Sequence, residues 1–212
     1  MHIGRCGDVE VVEDGRLRTY GAAREVILSA GTVSTPHLLM LSGIGPAAEL
    51  RRHGIAVRVD APGVGQNLSE HPRVPVEFAT REPITFLNEL RMDRAMFSVL
   101  RWFVGAGGAF ASQLNSCNIV VRTHDDLDRP DIQLMCNPVR MDARLWWPWQ
   151  PMQEHRVTAD VVLLHPAARG HLSLRSADPA ETPRVHLNLF RDEADFATAW
   201  RFVTHCCTNF GA

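Results

Sequence analysis

The sequence predicts an α/β piece joined near residue 73 to an α+β segment, and three observations predict it. The run Glu25-Val26-Ile27-Leu28 has the apolar character of a strand buried on both faces, and strong helix signals follow it. From about Val74 the texture changes, because Val74, Val76 and Phe78 alternate along the chain as on a half-exposed strand. Beyond that point, stretches of helical periodicity lie among strand candidates whose order suggests antiparallel pairing with helices laid on the sheet.

Taken in order, Val9, Val11 and Val12 beside Glu10 and Glu13 form one strand of a hairpin. Asp14-Gly15 supplies the turn, and Leu17 to Tyr20 return. The run 25–28 is then a third strand, ending at Ser29-Ala30-Gly31. Ser34 or Thr35 can cap a helix with Pro36 at its first position and Gly43 at its stop. A short helix after Pro46 stops at Gly54, Ile55 to Val59 read as a strand, and Asp60 to Gln66 form a Pro/Gly loop. Residues 88–104 predict an amphipathic helix with Met92, Met96, Val99, Leu100 and Phe103 on one face. Later strands are predicted at Asn118–Arg122, Asp131–Cys136, Asp160–His165 and His171–Arg175, and a final helix from Asp192 to about Cys206.

Composition narrows the chemistry. The 212 residues carry a formal charge of −2, which offers no electrostatic footprint for nucleic acid or an anionic membrane. No apolar run reaches transmembrane length, and Met1 to Cys6 do not open a signal peptide. All 22 basic residues are Arg, so a P-loop lysine, a Schiff-base lysine and a Tyr-Lys dehydrogenase pair are excluded. Cys6, Cys117, Cys136, Cys206 and Cys207 are odd in number and fit no zinc or CxxC spacing. Unpaired thiols suit a reducing compartment, and the expectation is a cytoplasmic protein. The histidines, among them His124, His155, His165 and His186, lack metal-ligand spacing, so no metal site is expected.

Residues 31–45 read GTVSTPHLLMLSGIG. This resembles a motif of the glucose-methanol-choline (GMC) oxidoreductases: a Gly, a Ser/Thr-Pro pair, a double aliphatic step, then Ser-Gly-aliphatic-Gly. AAREVILSAG before it and GPAAELRRHGIAVRVDAPGVGQNLSEHP after it resemble the choline-dehydrogenase-like branch, as do GAFASQLNSCNIVVRT, RPDIQLM and GHLSLRSADPAETPRVHLNLF further on. The resemblance implies that residues 1–72 are the C-terminal part of an FAD-binding, Rossmann-like domain. Residues 73–212 would then be an incomplete substrate-binding domain built on an antiparallel sheet with helices. It implies FAD as cofactor, a small-molecule alcohol as substrate, and oxidation of a CH–OH group. Ser29, Ala30 and Gly31 are the cofactor-binding candidates, beside the adenosine half of FAD, with Ser34 and Pro36 after them. The loop PGVGQNLSEHP adds Gly65 and Asn67, since in the family it passes close to the flavin. On punctuation alone, residues 29–36 also read as an ordinary strand-turn-helix, and His71 as a structural strut.

Two family features are absent from these residues. There is no GxGxxG to seat a pyrophosphate, because Gly43-Ile44-Gly45 is followed by Pro46 and Ala47 without a third glycine. The late His pair, whose first member takes the hydroxyl proton while the hydride moves to flavin, is absent too; His205-Cys206-Cys207 lacks its context. No catalytic residue is therefore named, and a partner chain or segments outside this sequence would complete the FAD site. The alternative is a catalytically inactive truncated or degenerate product, or a non-enzymatic oligomerising module. Trp146-Trp147-Pro148-Trp149 reads either as a pocket entrance or as an aromatic plug, and Asp125, Asp126 and Asp128 as a solvated loop.

Overall fold

The computed structural model describes residues 7–105, 107–111 and 116–210, so Met1 to Cys6 and part of the GAFASQLN stretch lie outside the described residues. The chain is a mixture of helices and mainly antiparallel strands, arranged as two compact units. The first comprises residues 1–69 and 169–188, the second residues 70–168 and 189–212. The expected boundary at 72/73 thus lies three residues beyond one crossing of the chain. The return of 169–188 to the first unit differs from the expectation that everything after 73 stays together. Its cause is apolar: Leu172 and Leu174 complete a core with Met40, Leu50 and Leu68, none more than 8% exposed.

In the first unit, β1 (Asp8–Glu13) and β2 (Arg16–Gly21) pair with Glu13 opposite Arg16. Asp14 and Gly15 both have positive φ, 51° and 72°, the conformation that a two-residue hairpin turn needs. No third strand follows. Residues 25–29 carry no strand pairing among the described residues, and Ile27 is 78% exposed. A doubly buried strand needs a neighbour on each side and layers on both faces, and the described residues supply neither.

Helix α1 spans Gly31–Leu41 and begins three residues before the predicted cap at Ser34. Thr35 is not a cap by position, but its Oγ1 accepts a hydrogen bond from the Ala30 N–H at 3.0 Å, so it supports the helix start from inside. Pro36 consequently sits within the helix. Strand β3 (Ile44–Gly45) pairs in parallel with β4 (Val59–Asp60), shorter than the predicted 55–59 strand. Helix α2 (Ala47–Arg52) lies between them, with Asp60 Oδ1 accepting from the Ala47 N–H at 3.0 Å.

The second unit holds a four-stranded antiparallel sheet of order β5-β8-β7-β6: β5 Arg73–Ala79, β6 Cys117–Val121, β7 Ile132–Asn137 and β8 Arg156–Leu163. Alternation on β5 matches the reading of Val74, Val76 and Phe78, whose side chains are half-buried between exposed neighbours. Helix α4 (Glu193–Phe210) covers one face, so that Cys206 joins Ile132, Leu134, Ala159, Val161 and Leu163 in the core. Asp192 Oδ1 accepts from the Ala194 N–H at the start of α4. Strands β9 (His171–Ser173) and β10 (Arg184–His186) form an antiparallel pair in the first unit; β10 was not predicted.

Helix α3 (Met92–Phe103) forms within the predicted 88–104 stretch. The apolar stripe is present, but it faces solvent: Met96 is 64%, Leu100 59% and Phe103 73% exposed. The buried positions are Ala95 and Ser98, small residues that let the helix backbone approach its neighbours.

Candidate functional site

The candidate cofactor residues are distributed along α1 and the loop that follows β4. Ser29, Ala30, Gly31 and Ser34 are all exposed at the N-terminal end of α1, and Pro36 is half-buried. Gly31 has φ +85°, and a Cβ built there would meet nothing within 4 Å. Its missing side chain therefore leaves open space in front of a helix start whose first turn carries no acidic residue. The leading N–H groups of a helix lack intrahelical partners and carry partial positive charge, so this end suits an electron-rich ligand approaching by backbone.

Gly65 behaves differently. It is buried at φ +76°, and a Cβ there would stand 2.9 Å from the Leu172 carbonyl oxygen. The Leu172 N–H also donates to the Gly65 carbonyl at 2.6 Å. This glycine lets the loop lie against β9. Asn67 is exposed with φ +59°, and the neighbouring Leu68 bridges to Gly170.

The two groups are not brought into one cluster. Gly65 lies by Met40, near the last turn of α1, whereas Gly31 is its first residue. At 1.5 Å of rise per residue the helix separates them by about 14 Å. A compact ligand cannot touch both, but an elongated one can lie along the helix. Between them, buried His37 has its pKa lowered from 6.5 by desolvation, so the imidazole is held neutral.

An open cavity of about 420 Å³ in the first unit adds groups that the sequence reading did not single out, among them Glu49, Arg52, His53 and Arg184. Glu49 is buried; its Oε1 accepts from the Leu174 N–H at 3.0 Å and Oε2 from Arg52. The carboxylate thus ties α2 to the segment after β9. Gln66 also lines this cavity, next to the candidates Gly65 and Asn67.

In the second unit the overlooked residue is Asp160, fully buried on β8, on the sheet face opposite the α4 core. Its Oδ2 accepts from Asn137 Nδ2 at 3.0 Å and lies 3.5 Å from Arg73, while Oδ1 has no hydrogen-bond partner among the described residues. A strand reading of residues 160–165 gives no signal for it; only the diagonal neighbours Asn137 and Arg73 on the flanking strands do. His155 is also buried, with Nδ1 2.7 Å from Thr85 Oγ1. The tryptophan cluster divides. Trp146 is a buried plug whose Nε1 donates to the Leu87 carbonyl, while Trp147 and Trp149 stack on the surface. His71 is exposed, its N–H donating to Glu70 Oε1. Among the described residues, no group of His, Cys, Asp or Glu could hold a metal ion, and no helix is long and apolar enough to cross a membrane.

The fold superposes on an FAD-modification variant of formate oxidase from Aspergillus oryzae with a TM-score of 0.85 and 30% identity, over 96% of this chain and 40% of that one. Residues 2–73 match the family model of the GMC oxidoreductases. Two relatives are the oxygen-dependent choline dehydrogenases of Brucella canis, 36% identical over 204 residues, and of Rhizobium meliloti, 34% identical over 206 residues. These alignments cover 95% and 96% of this chain and 36% of each relative, so the chain spans just over a third of their length. The chain belongs to the GMC oxidoreductase family, whose cofactor is FAD.

Proposed function

We propose that the chain contributes to an FAD-dependent oxidoreductase acting on CH–OH donors, of the choline-dehydrogenase-like kind. Residues 1–72, with the 169–188 segment that packs on them, serve the cofactor, and the four-stranded sheet unit serves a small-molecule alcohol. The observation that carries this reading is the motif at 31–45, whose first glycine stands at an open helix start. FAD, when bound, supplies the hydride acceptor. Ser29, Ala30 and Gly31 take the nucleotide at the backbone, Ser34 adds a hydroxyl in the first turn, and Pro36 holds the turn. Asn67 meets the other end of an extended ligand, and Gly65 keeps that loop seated on β9. The free thiols Cys117, Cys136, Cys206 and Cys207 suit a cytoplasmic setting.

The chain alone is proposed not to turn over, since its residues include neither a GxGxxG nor the family's His pair in context. The test is the visible spectrum of the purified chain after incubation with FAD and gel filtration. A retained flavin band that Gly31→Val abolishes supports the cofactor role. A colourless wild-type protein removes it. The second reading, an oligomerising module, is favoured by one observation, the exposed stripe Met96, Val99, Leu100 and Phe103 on α3.

A further inference from the structure

Cys117 on β6 and Cys136 on β7 are direct cross-strand partners. Directly opposed side chains leave a sheet on the same face, and theirs is shared by the pairs Ile119–Leu134 and Val121–Ile132. It is the face packed by α4, where Cys136 lies against the core that contains Cys206. The two thiols differ in access: Cys117 is exposed and Cys136 half-buried. A backbone hydrogen bond from the Ser116 N–H to the Cys136 carbonyl, 2.9 Å, holds the strands together at this point.

We propose that Cys117 and Cys136 are a reversible redox pair, closed into a cross-strand disulfide by a hydroperoxide. Opposed residues of an antiparallel pair have Cβ atoms roughly 4.5–5.5 Å apart, and a disulfide requires about 3.5–4.5 Å, so closure calls for roughly 1 Å of movement. Among the described residues strand β6 is the outer strand of the sheet, hydrogen-bonded on one side only, and can make that movement. The exposed Cys117 thiolate attacks the peroxide, the O–O bond breaks, and Cys117 becomes a sulfenic acid with release of water or an alcohol. The Cys136 sulfur then attacks the Cys117 sulfur, the S–O bond breaks, and the departing hydroxide leaves as water with the Cys136 proton. Burial pushes the Cys136 thiol up, and Cys117 adds to that rise, so Cys136 keeps its proton until this second step. Geometry closed against strain makes the bond easily reduced, as a reversible pair in a reducing compartment must be.

The test is peroxide titration of the purified 212-residue chain, followed by alkylation, intact mass and peptide mapping, in buffer and in urea. The expected result in buffer is a loss of about 2 Da, restored by dithiothreitol, with one linked peptide pair joining positions 117 and 136. Cys117→Ser and Cys136→Ser each prevent it, while Cys206→Ser leaves it intact. In urea the five cysteines pair without this preference. A dominant link between Cys136 and Cys206, equal scrambling in buffer and urea, or a stable gain of about 16 Da on Cys117 without a link would each overturn the proposal. Mapping of the unsubstituted chain decides the matter even where a variant fails to fold.

Discussion

The two units invest in different kinds of order. The second is closed upon a sheet: three antiparallel ladders link its four strands, and α4 seals one face with a core fully or nearly buried. The first holds a five-residue core around Met40 and Leu50, while its hairpin and all of the 25–29 segment but Val26 stay exposed. Its ordered part is a scaffold of close approaches between backbones, in which glycines matter more than apolar area. Stability in the second unit should therefore respond to lost side-chain volume, and in the first to added volume at a few glycines. All five tryptophans (Trp102, Trp146, Trp147, Trp149 and Trp200) lie in the second unit, so indole fluorescence reads that unit separately.

The largest expected effect is in the sheet. Leu134 is 3% exposed between Ile119 and Val161 in the ladder. Leu134→Ala should cost about 3 kcal/mol, through lost transfer energy and an unfilled cavity. Urea titration followed by tryptophan fluorescence would show it as a fall in midpoint. An unchanged midpoint would mean that the sheet unit is loosely packed and the contrast with the first unit is false.

The next effect sharpens the other side. A Cβ at Gly170 would lie 1.9 Å from the His186 carbonyl oxygen and 3.0 Å from the Leu187 Cα, backbone atoms that no rotamer change can move. Gly170→Ala should cost roughly 2 kcal/mol and part β9 from β10 or break the Leu68–Gly170 bridge. Hydrogen exchange would report it as faster exchange at the Leu68 and Gly170 amides, which are bonded reciprocally at 2.9 and 2.7 Å. Tryptophan fluorescence should not register it.

This contrast also explains what could be read from the chain beforehand. Local signals were legible: the Asp14-Gly15 turn, the alternation on β5, the Gly43 stop and the Asp192 start of α4 each depend on residues near one another in sequence. The GTVSTPHLLMLSGIG string identified the family for the same reason. What failed depends on neighbours distant in sequence. The apolar run 25–28 reads as a buried strand, but burial is supplied by adjoining strands. The stripe on α3 was found, yet the side that packs is that of Ala95 and Ser98, because close approach rewards small residues. Of the candidate site, Gly31 stands where a Cβ would meet nothing within 4 Å. Gly65 reads as a residue that permits a tight loop path, and in the structure it seats that loop on Leu172. Asp160 was invisible, since one carboxylate in a strand acquires meaning only through its cross-strand partners.

The smallest expected effect is a pH dependence confined to the first unit. His37 is buried on α1, and desolvation lowers its pKa from 6.5. Between the lowered value and 6.5 the unfolded chain binds a proton that the folded chain refuses. Acid therefore favours unfolding in that window, and stability rises with pH until it is fully present above about 6.5. In His37→Gln that component is gone, because the amide does not titrate. Hydrogen exchange at the Leu68 amide, compared in the two proteins at pH 7.5 and 5.5, isolates the difference from every other titrating group. The wild type should lose more protection on acidification than the variant. Parallel losses would show that the imidazole is as easily protonated in the fold as outside it, and that the core around Met40 admits more water than its burial suggests.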